Sequence, residues 1–196
     1  MIGMNRSETR AHRDQLLAAV GSAETDPRVR IAALGALVRH AERADARRAW
    51  SVATADPSTA VRRRAAEHAP AITGPAVTRV LALIHDEDPL VVEAACFAAG
   101  ELTWSQSARA RVVAALVQAG RAADPLVREA AVAALGAIGD PAGLAAILHA
   151  CSDRPAIRRR AVLALAPFDG PEVDAALARA LEDPDWQTRQ AAEDLA

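Results

Sequence analysis

Histidine, cysteine, acids and arginine are all present in this chain, and their spacing decides which chemistry they can support. The five histidines (His12, His40, His68, His85 and His149) lie far apart, and Cys96 and Cys151 form no CxxC pair. No zinc- or iron-type ligand spacing results. The run His85-Asp86-Glu87-Asp88 could hold a cation loosely, but acids also gather wherever a helix begins. No GxSxG, Walker loop or HExxH occurs. The sequence therefore predicts no catalytic residue, no metal and no cofactor. What stands out is arginine: all 23 basic residues are Arg, and two triplets occur, Arg62-Arg63-Arg64 and Arg158-Arg159-Arg160. Guanidinium groups bind phosphate or carboxylate, so the elements that position them matter. The absence of lysine fits a high-GC, bacterial coding bias.

Those elements repeat. An Asp-Pro step (Asp153-Arg154-Pro155 in the fifth copy), a β-branched residue, usually an Arg, and an alanine-rich apolar run recur six times, with prolines at 27, 57, 89, 125, 155 and 184. A fixed period of roughly thirty residues signals a solenoid whose units bury their apolar faces against their neighbours. Asp before Pro is a helix-start signal: the carboxylate accepts from first-turn amides, and proline at the first helical position sacrifices no hydrogen bond. After it, Val127, Ala130, Ala131, Ala134 and Leu135 fall on one helical stripe. A partner helix precedes each, predicted over Glu8–Gly21, Arg43–Ala53, Pro75–His85, Ser107–Ala122, Pro141–Ala150 and Pro171–Leu181. Gly74-Pro75, Asp140-Pro141 and Gly170-Pro171 provide further starts.

The expected fold is all-α: a right-handed α-α superhelical solenoid of six helix pairs. It is read as a single domain over residues 1–196, with repeats near 7–40, 43–69, 75–100, 107–138, 141–166 and 171–196. Hydrophobic residues make up 52% of the chain, enough for a continuous core, and its 51 alanines favour helices in close approach. The net charge of −2 predicts no general attraction to nucleic acid or to a membrane. Its distribution is uneven: residues 1–64 hold 12 Arg against 7 acids, and residues 169–196 hold 2 against 8. Such a chain could associate head to tail with its own copies. No segment approaches the ~18 apolar residues of a membrane span, no signal peptide is visible, and the two cysteines suit a reducing compartment, so a cytoplasmic location is expected.

The stretch Asp124-Pro-Leu-Val-Arg-Glu-Ala-Ala-Val-Ala-Ala-Leu-Gly-Ala-Ile-Gly-Asp140 resembles the HEAT repeat, in the short bacterial form also found in phycobilin lyases. The resemblance covers nearly the whole chain, and it implies an adaptor or scaffold more readily than an enzyme. It also implies roles by register. Counting from the β-branched residue, the next position is Arg30, Arg62, Val92, Arg128, Arg158 and Arg189. In HEAT proteins an Arg here commonly bonds the helix-capping Asp of a neighbouring repeat, so Arg30, Arg62, Arg128, Arg158 and Arg189 are expected to form a structural ladder broken at Val92. Two and six places along, the resemblance places the concave face, where Arg63, Glu93, Phe97, Glu129, Arg159 and Leu163 become the partner-binding candidates. Arg64 and Arg160, three places along, should snorkel from a buried position.

That face is mixed in sign with apolar anchors, as in a protein-binding groove, whereas a nucleic-acid groove would be uniformly basic with aromatic platforms. The reading is a non-enzymatic scaffold or adaptor with a protein partner. The alternatives are a nucleic-acid-binding protein similar to the HEAT-like alkylpurine DNA glycosylases, with Glu67, Glu93 or Glu129 as its acid, and a phycobilin-lyase-like protein. Deoxyhypusine hydroxylase shares the architecture but uses repeated His-Glu dipeptides for its iron, and here only Glu67-His68 occurs, in reverse order. Trp50, Trp104 and Trp186 are expected to be packing plugs.

Overall fold

The computed structural model describes residues 6–72, 74 and 76–195. Twelve α-helices follow one another among these residues, with no strand. They are α1 (Arg6–Gly21), α2 (Pro27–His40), α3 (Arg43–Ala53), α4 (Thr59–His68), α5 (Val77–Ile84), α6 (Pro89–Glu101), α7 (Gln106–Ala119), α8 (Pro125–Ile138), α9 (Leu144–Ala150), α10 (Pro155–Ala164), α11 (Pro171–Leu181) and α12 (Trp186–Glu193). Short 3-10 turns occupy Ala69–Ala71 and Pro141–Gly143. The chain forms two compact units that meet in sequence between Leu83 and Ile84.

In the first unit α2 packs on α4 and α1 on α3, with α1, α2 and α3 in mutual contact. Leu34, Leu37, Trp50, Val61 and Ala65 form its centre, each no more than 2% exposed. In the second unit α6, α8, α10 and α12 pack in succession as one layer, while α7, α9 and α11 pair with them as the other. A two-layered stack of helix hairpins is the solenoid way of building a core from units too small to bury their own faces.

Local chemistry sets the helix starts. Asp26, Asp88 and Asp124 are N-caps, each accepting through Oδ1 from the amide two residues on (2.7, 2.9 and 2.8 Å), with proline in the first turn. The other Asp-Pro steps differ from the sequence expectation. After Asp56-Pro57 and Asp183-Pro184 the helices begin two residues later, with Ser58 and Asp185 at the N-cap position, where only Asp185 accepts a first-turn amide through its side chain. Asp140 caps the 3-10 turn, so α9 starts only at Leu144. The expected Gly74-Pro75 start includes Pro75, which lies outside the described residues. Helix α8 ends on Gly139 in the left-handed region at φ 65°, where its N–H bonds Leu135 O.

Helices of the second unit approach closely because small residues face each other. A Cβ on Gly136 would lie 2.6 Å from Cα of Ala164, and one on Gly100 would lie 3.0 Å from Cα of Ala134. Glycine at these two places is what lets α8 seat on α10 and α6 on α8.

Candidate interaction surfaces

The second helix of a pair presents an arginine near its start, and Arg30, Arg128 and Arg158 make the same contact. Arg30 donates from Nε and Nη2 to Asp56 Oδ2 and Oδ1, both at 2.8 Å, and from Nη1 to the carbonyls of Ala23 and Thr25. Arg128 repeats this on Asp153 (2.7 and 3.0 Å), with Nη1 on Ala122 O and Ala123 O. Arg158 repeats it on Asp183 (2.8 and 2.7 Å), with Nη1 on Asp153 O. One edge of each guanidinium thus closes its own loop while the other grips the next repeat, a bidentate geometry that only the planar fork provides.

The first of these pairs is dry, with side chains 2% and 4% exposed. The other two are half-buried, and their hydrogen bonds hold the Asp153 and Asp183 carboxyls below the usual carboxylate range. Arg62 donates to Asp56 O and Pro57 O, and Arg189 to Asp183 O and Pro184 O.

The gripped carboxylates are not the helix caps. Asp56 and Asp183 sit two residues before their caps and accept from the cap amide through Oδ1, and Asp153 accepts from Arg154 N one residue on. The capping residues Asp26, Asp88 and Asp124 serve their own helices instead. The sequence signal for the difference is a second polar residue after the proline, in Asp56-Pro-Ser58 and Asp183-Pro-Asp185, against Asp124-Pro-Leu126. Where Val92 replaces the arginine, the corresponding loop place is Ala122, so both halves of the pair are missing together.

The face candidates lie in both units. In the first, Arg63 is exposed and pairs with Glu67 at 3.1 Å, and Arg64 reaches the other oxygen of Glu67 at 2.8 Å. In the second, Phe97 and Leu163 are 40% and 39% exposed, and Glu93, Glu129 and Arg159 are half-buried. Arg160 lies 3.7 Å from Glu129, and Arg159 donates to Gln187 Oε1 at 2.7 Å. Arg64 and Arg160 do leave the core, by pairing with a carboxylate at the surface. A shallow cleft of about 220 Å³ between α8 and α10 is lined by Gly136, Ala137, Arg160, Leu163 and Pro167.

Trp50 and Trp104 are buried and donate to Ala65 O (2.7 Å) and Ala99 O (3.0 Å), but Trp186 is 64% exposed and plugs nothing. Asp86 and Asp88 each accept a backbone amide two residues ahead, as helix-start acids do. In the first unit, a cleft of about 470 Å³ gathers Arg10, His12, Leu16, Leu37 and His40. No described helix is long and apolar enough to cross a membrane.

No curated protein matches the chain. Among solved structures, an engineered protein superposes with a TM-score of 0.65 at 17% identity, covering 97% of this chain and 94% of that one. A designed armadillo repeat protein gives 0.60 at 16% identity over 91% and 96%. Another, in complex with the peptide (KR)4, gives 0.61 at 15% over 96% and 92%. These likenesses show a shared helical-repeat fold. The family model for HEAT repeats matches residues 77–166 and again 113–196. Those residues span more than half of the sequence and include the Arg128–Asp153 and Arg158–Asp183 pairs, and the chain belongs to the HEAT-repeat family.

Proposed function

We propose that this protein is a non-enzymatic scaffold or adaptor that holds a protein partner on the face of α6, α8 and α10. The observation that carries the proposal is the pairing of exposed Phe97 and Leu163 with Glu93, Glu129 and Arg159 on helices that pack in succession. Apolar anchors ringed by charges of both signs suit a peptide or protein surface. Helices α8 and α10, locked by bidentate forks, lose little entropy when a partner binds. Arg63 on α4 offers an equivalent surface in the first unit. A structurally similar designed armadillo repeat protein is solved with a (KR)4 peptide, which supports a peptide or protein segment as the kind of partner. Head-to-tail self-association and a cytoplasmic setting belong to the same reading.

The test compares wild type with a variant carrying Arg63→Glu and Arg159→Glu in co-purification from lysate at two salt concentrations, with nuclease-treated samples alongside. A discrete protein that survives nuclease and moderate salt, and is lost from the variant while helical spectrum and Tm are kept, supports the face. Retention by the variant removes it. Recovery of nucleic acid that salt displaces would favour the glycosylase-like alternative.

A further inference from the structure

We infer that α2 and α4 together form an anion-binding site, built from Arg39, Arg64 and His68, whose ligand is a doubly charged phosphate group, free in solution or carried on a side chain of a partner. The site uses none of the residues of the α6, α8 and α10 face, so it stands or falls apart from that reading. Both walls belong to the first unit, where α2 packs on α4. The triplet Arg62-Arg63-Arg64 on α4 has its counterpart in Arg158-Arg159-Arg160 on α10, in the same register. The two triplets differ in what faces them. Arg160 meets Glu129 of the preceding α8, two places beyond the β-branched residue. The same place on α2 is Ile31, and α2 contains no acid at all. Arg64 therefore turns to Glu67 on its own helix at 2.8 Å, and Arg63 takes the other oxygen of that carboxylate at 3.1 Å.

A third guanidinium comes from α2. Arg39 folds back along its helix over the bare backbone of Gly35, where a Cβ would lie 3.1 Å from Nη1 and 3.6 Å from Nη2. Gly35 is buried beneath it, while Arg39 itself stays exposed. Three guanidiniums are thus set against the one carboxylate of Glu67, and a phosphate dianion neutralises the surplus. His68, half-buried at the end of α4, lies where these fields meet. Burial holds its imidazole below the usual histidine range, and the charges of Arg64 on α4 and Arg39 on α2 add to this against the opposing charge of Glu67. Arg39 and Arg64 therefore act on one point from two helices. An anion bound there offsets both charges and offers the ring an acceptor, so the imidazole gains a proton as the anion binds.

NMR titration of the histidine rings, in inorganic phosphate and in chloride at equal ionic strength, tests this. His68 should shift saturably with phosphate and titrate at higher pH than in chloride, while His85 and His149 follow the chloride reference. Arg39→Gln and Arg64→Gln, both at exposed positions, should each weaken phosphate binding by about tenfold or more with Tm unchanged. Gly35→Ala keeps every charge but lifts Arg39 from its seat, and it should weaken binding as well without loss of Tm. A short phosphoserine peptide that binds more tightly than inorganic phosphate, while its unphosphorylated form does not bind, assigns the group to a protein partner. Equal binding of the peptide and inorganic phosphate assigns it to a free ligand. His68 that titrates alike in phosphate and chloride, or variants that bind phosphate as wild type does, overturns the site. A single-stranded oligonucleotide that binds there more tightly than either probe overturns the doubly charged group in favour of a phosphodiester.

Discussion

Arg128 and Asp153 join consecutive repeats through two hydrogen bonds of 2.7 and 3.0 Å, while the third nitrogen of the same guanidinium closes the loop behind it on Ala122 and Ala123. One side chain therefore orders a loop and sets the spacing to the next repeat. The Arg30–Asp56 pair does the same in a drier place. Removing one partner of a buried pair strands the other charge, which costs about 3–5 kcal/mol. Arg30→Ala should lose stability on that scale in urea denaturation, and Arg128→Ala about 1–3 kcal/mol, since water reaches its partner. Arg30→Lys should not rescue, because an ammonium cannot span two carboxylate oxygens and two carbonyls at once. Equal losses at the two sites would contradict this account.

A second prediction concerns packing. Alanine is the better helix former by about 1 kcal/mol, yet Gly136→Ala would drive a methyl to 2.6 Å from both Cα and Cβ of Ala164. Backbone cannot give way cheaply, so overpacking of about 1–3 kcal/mol should win and Tm should fall. Gly21→Ala, which meets nothing within 4 Å, is the control and should hold or raise Tm. A rise in Tm for Gly136→Ala would mean that α8 and α10 can separate.

Much of this architecture is written locally. Helices α3 and α11 have the expected bounds, because the helical period of their apolar residues, and the proline that opens α11, are short-range signals. The predicted Ser107–Ala122 helix runs too long: α7 stops at Ala119, and Gly120 to Ala122 turn into the Asp124 cap. The roles of the Asp-Pro steps were harder to read. Asp26 and Asp56 stand in the same dipeptide, yet one caps its helix and the other receives Arg30 from the previous repeat. Likewise three tryptophans of equal hydrophobicity split into two buried plugs and one exposed ring, a difference made by neighbours rather than by composition. The candidate face residues Glu93, Glu129 and Arg159 rest on register alone, and the Arg159–Gln187 and Arg160–Glu129 contacts depend on how α8, α10 and α12 stack.

Acid should loosen the forks in a defined window. The guanidiniums of Arg128 and Arg158 hold Asp153 and Asp183 below their ordinary value of 3.8, so the folded state binds fewer protons than the unfolded one. Their contribution is full above that ordinary value and is lost as pH falls through the lower folded values. The stability gap between wild type and a chain carrying Arg128→Ala and Arg158→Ala should therefore be constant near neutrality and narrow below about pH 4. A gap that stays constant down to pH 2 would show that the pairs hold the fold by shape alone.

The two thiols should be inert in the native protein. Burial, with a smaller contribution from Glu93, pushes Cys96 up to about 12. Burial pushes Cys151 up to about 11, partly opposed by Arg179. At neutral pH the thiolate fraction is then about one part in ten thousand or less, and the thiolate is the reacting species. A thiol reagent should label neither residue at the rate of a free thiol until denaturant is added. Cys151, only half-buried beside Arg179, should react ahead of Cys96, which is fully enclosed on α6. Labelling of Cys96 should instead track opening of the α6–α8 packing. Gly136→Ala, which crowds the α8–α10 contact within the same unit, should raise that rate. Fast labelling of Cys96 in the wild-type protein would mean that the second unit is far looser than its glycine-to-alanine packing requires.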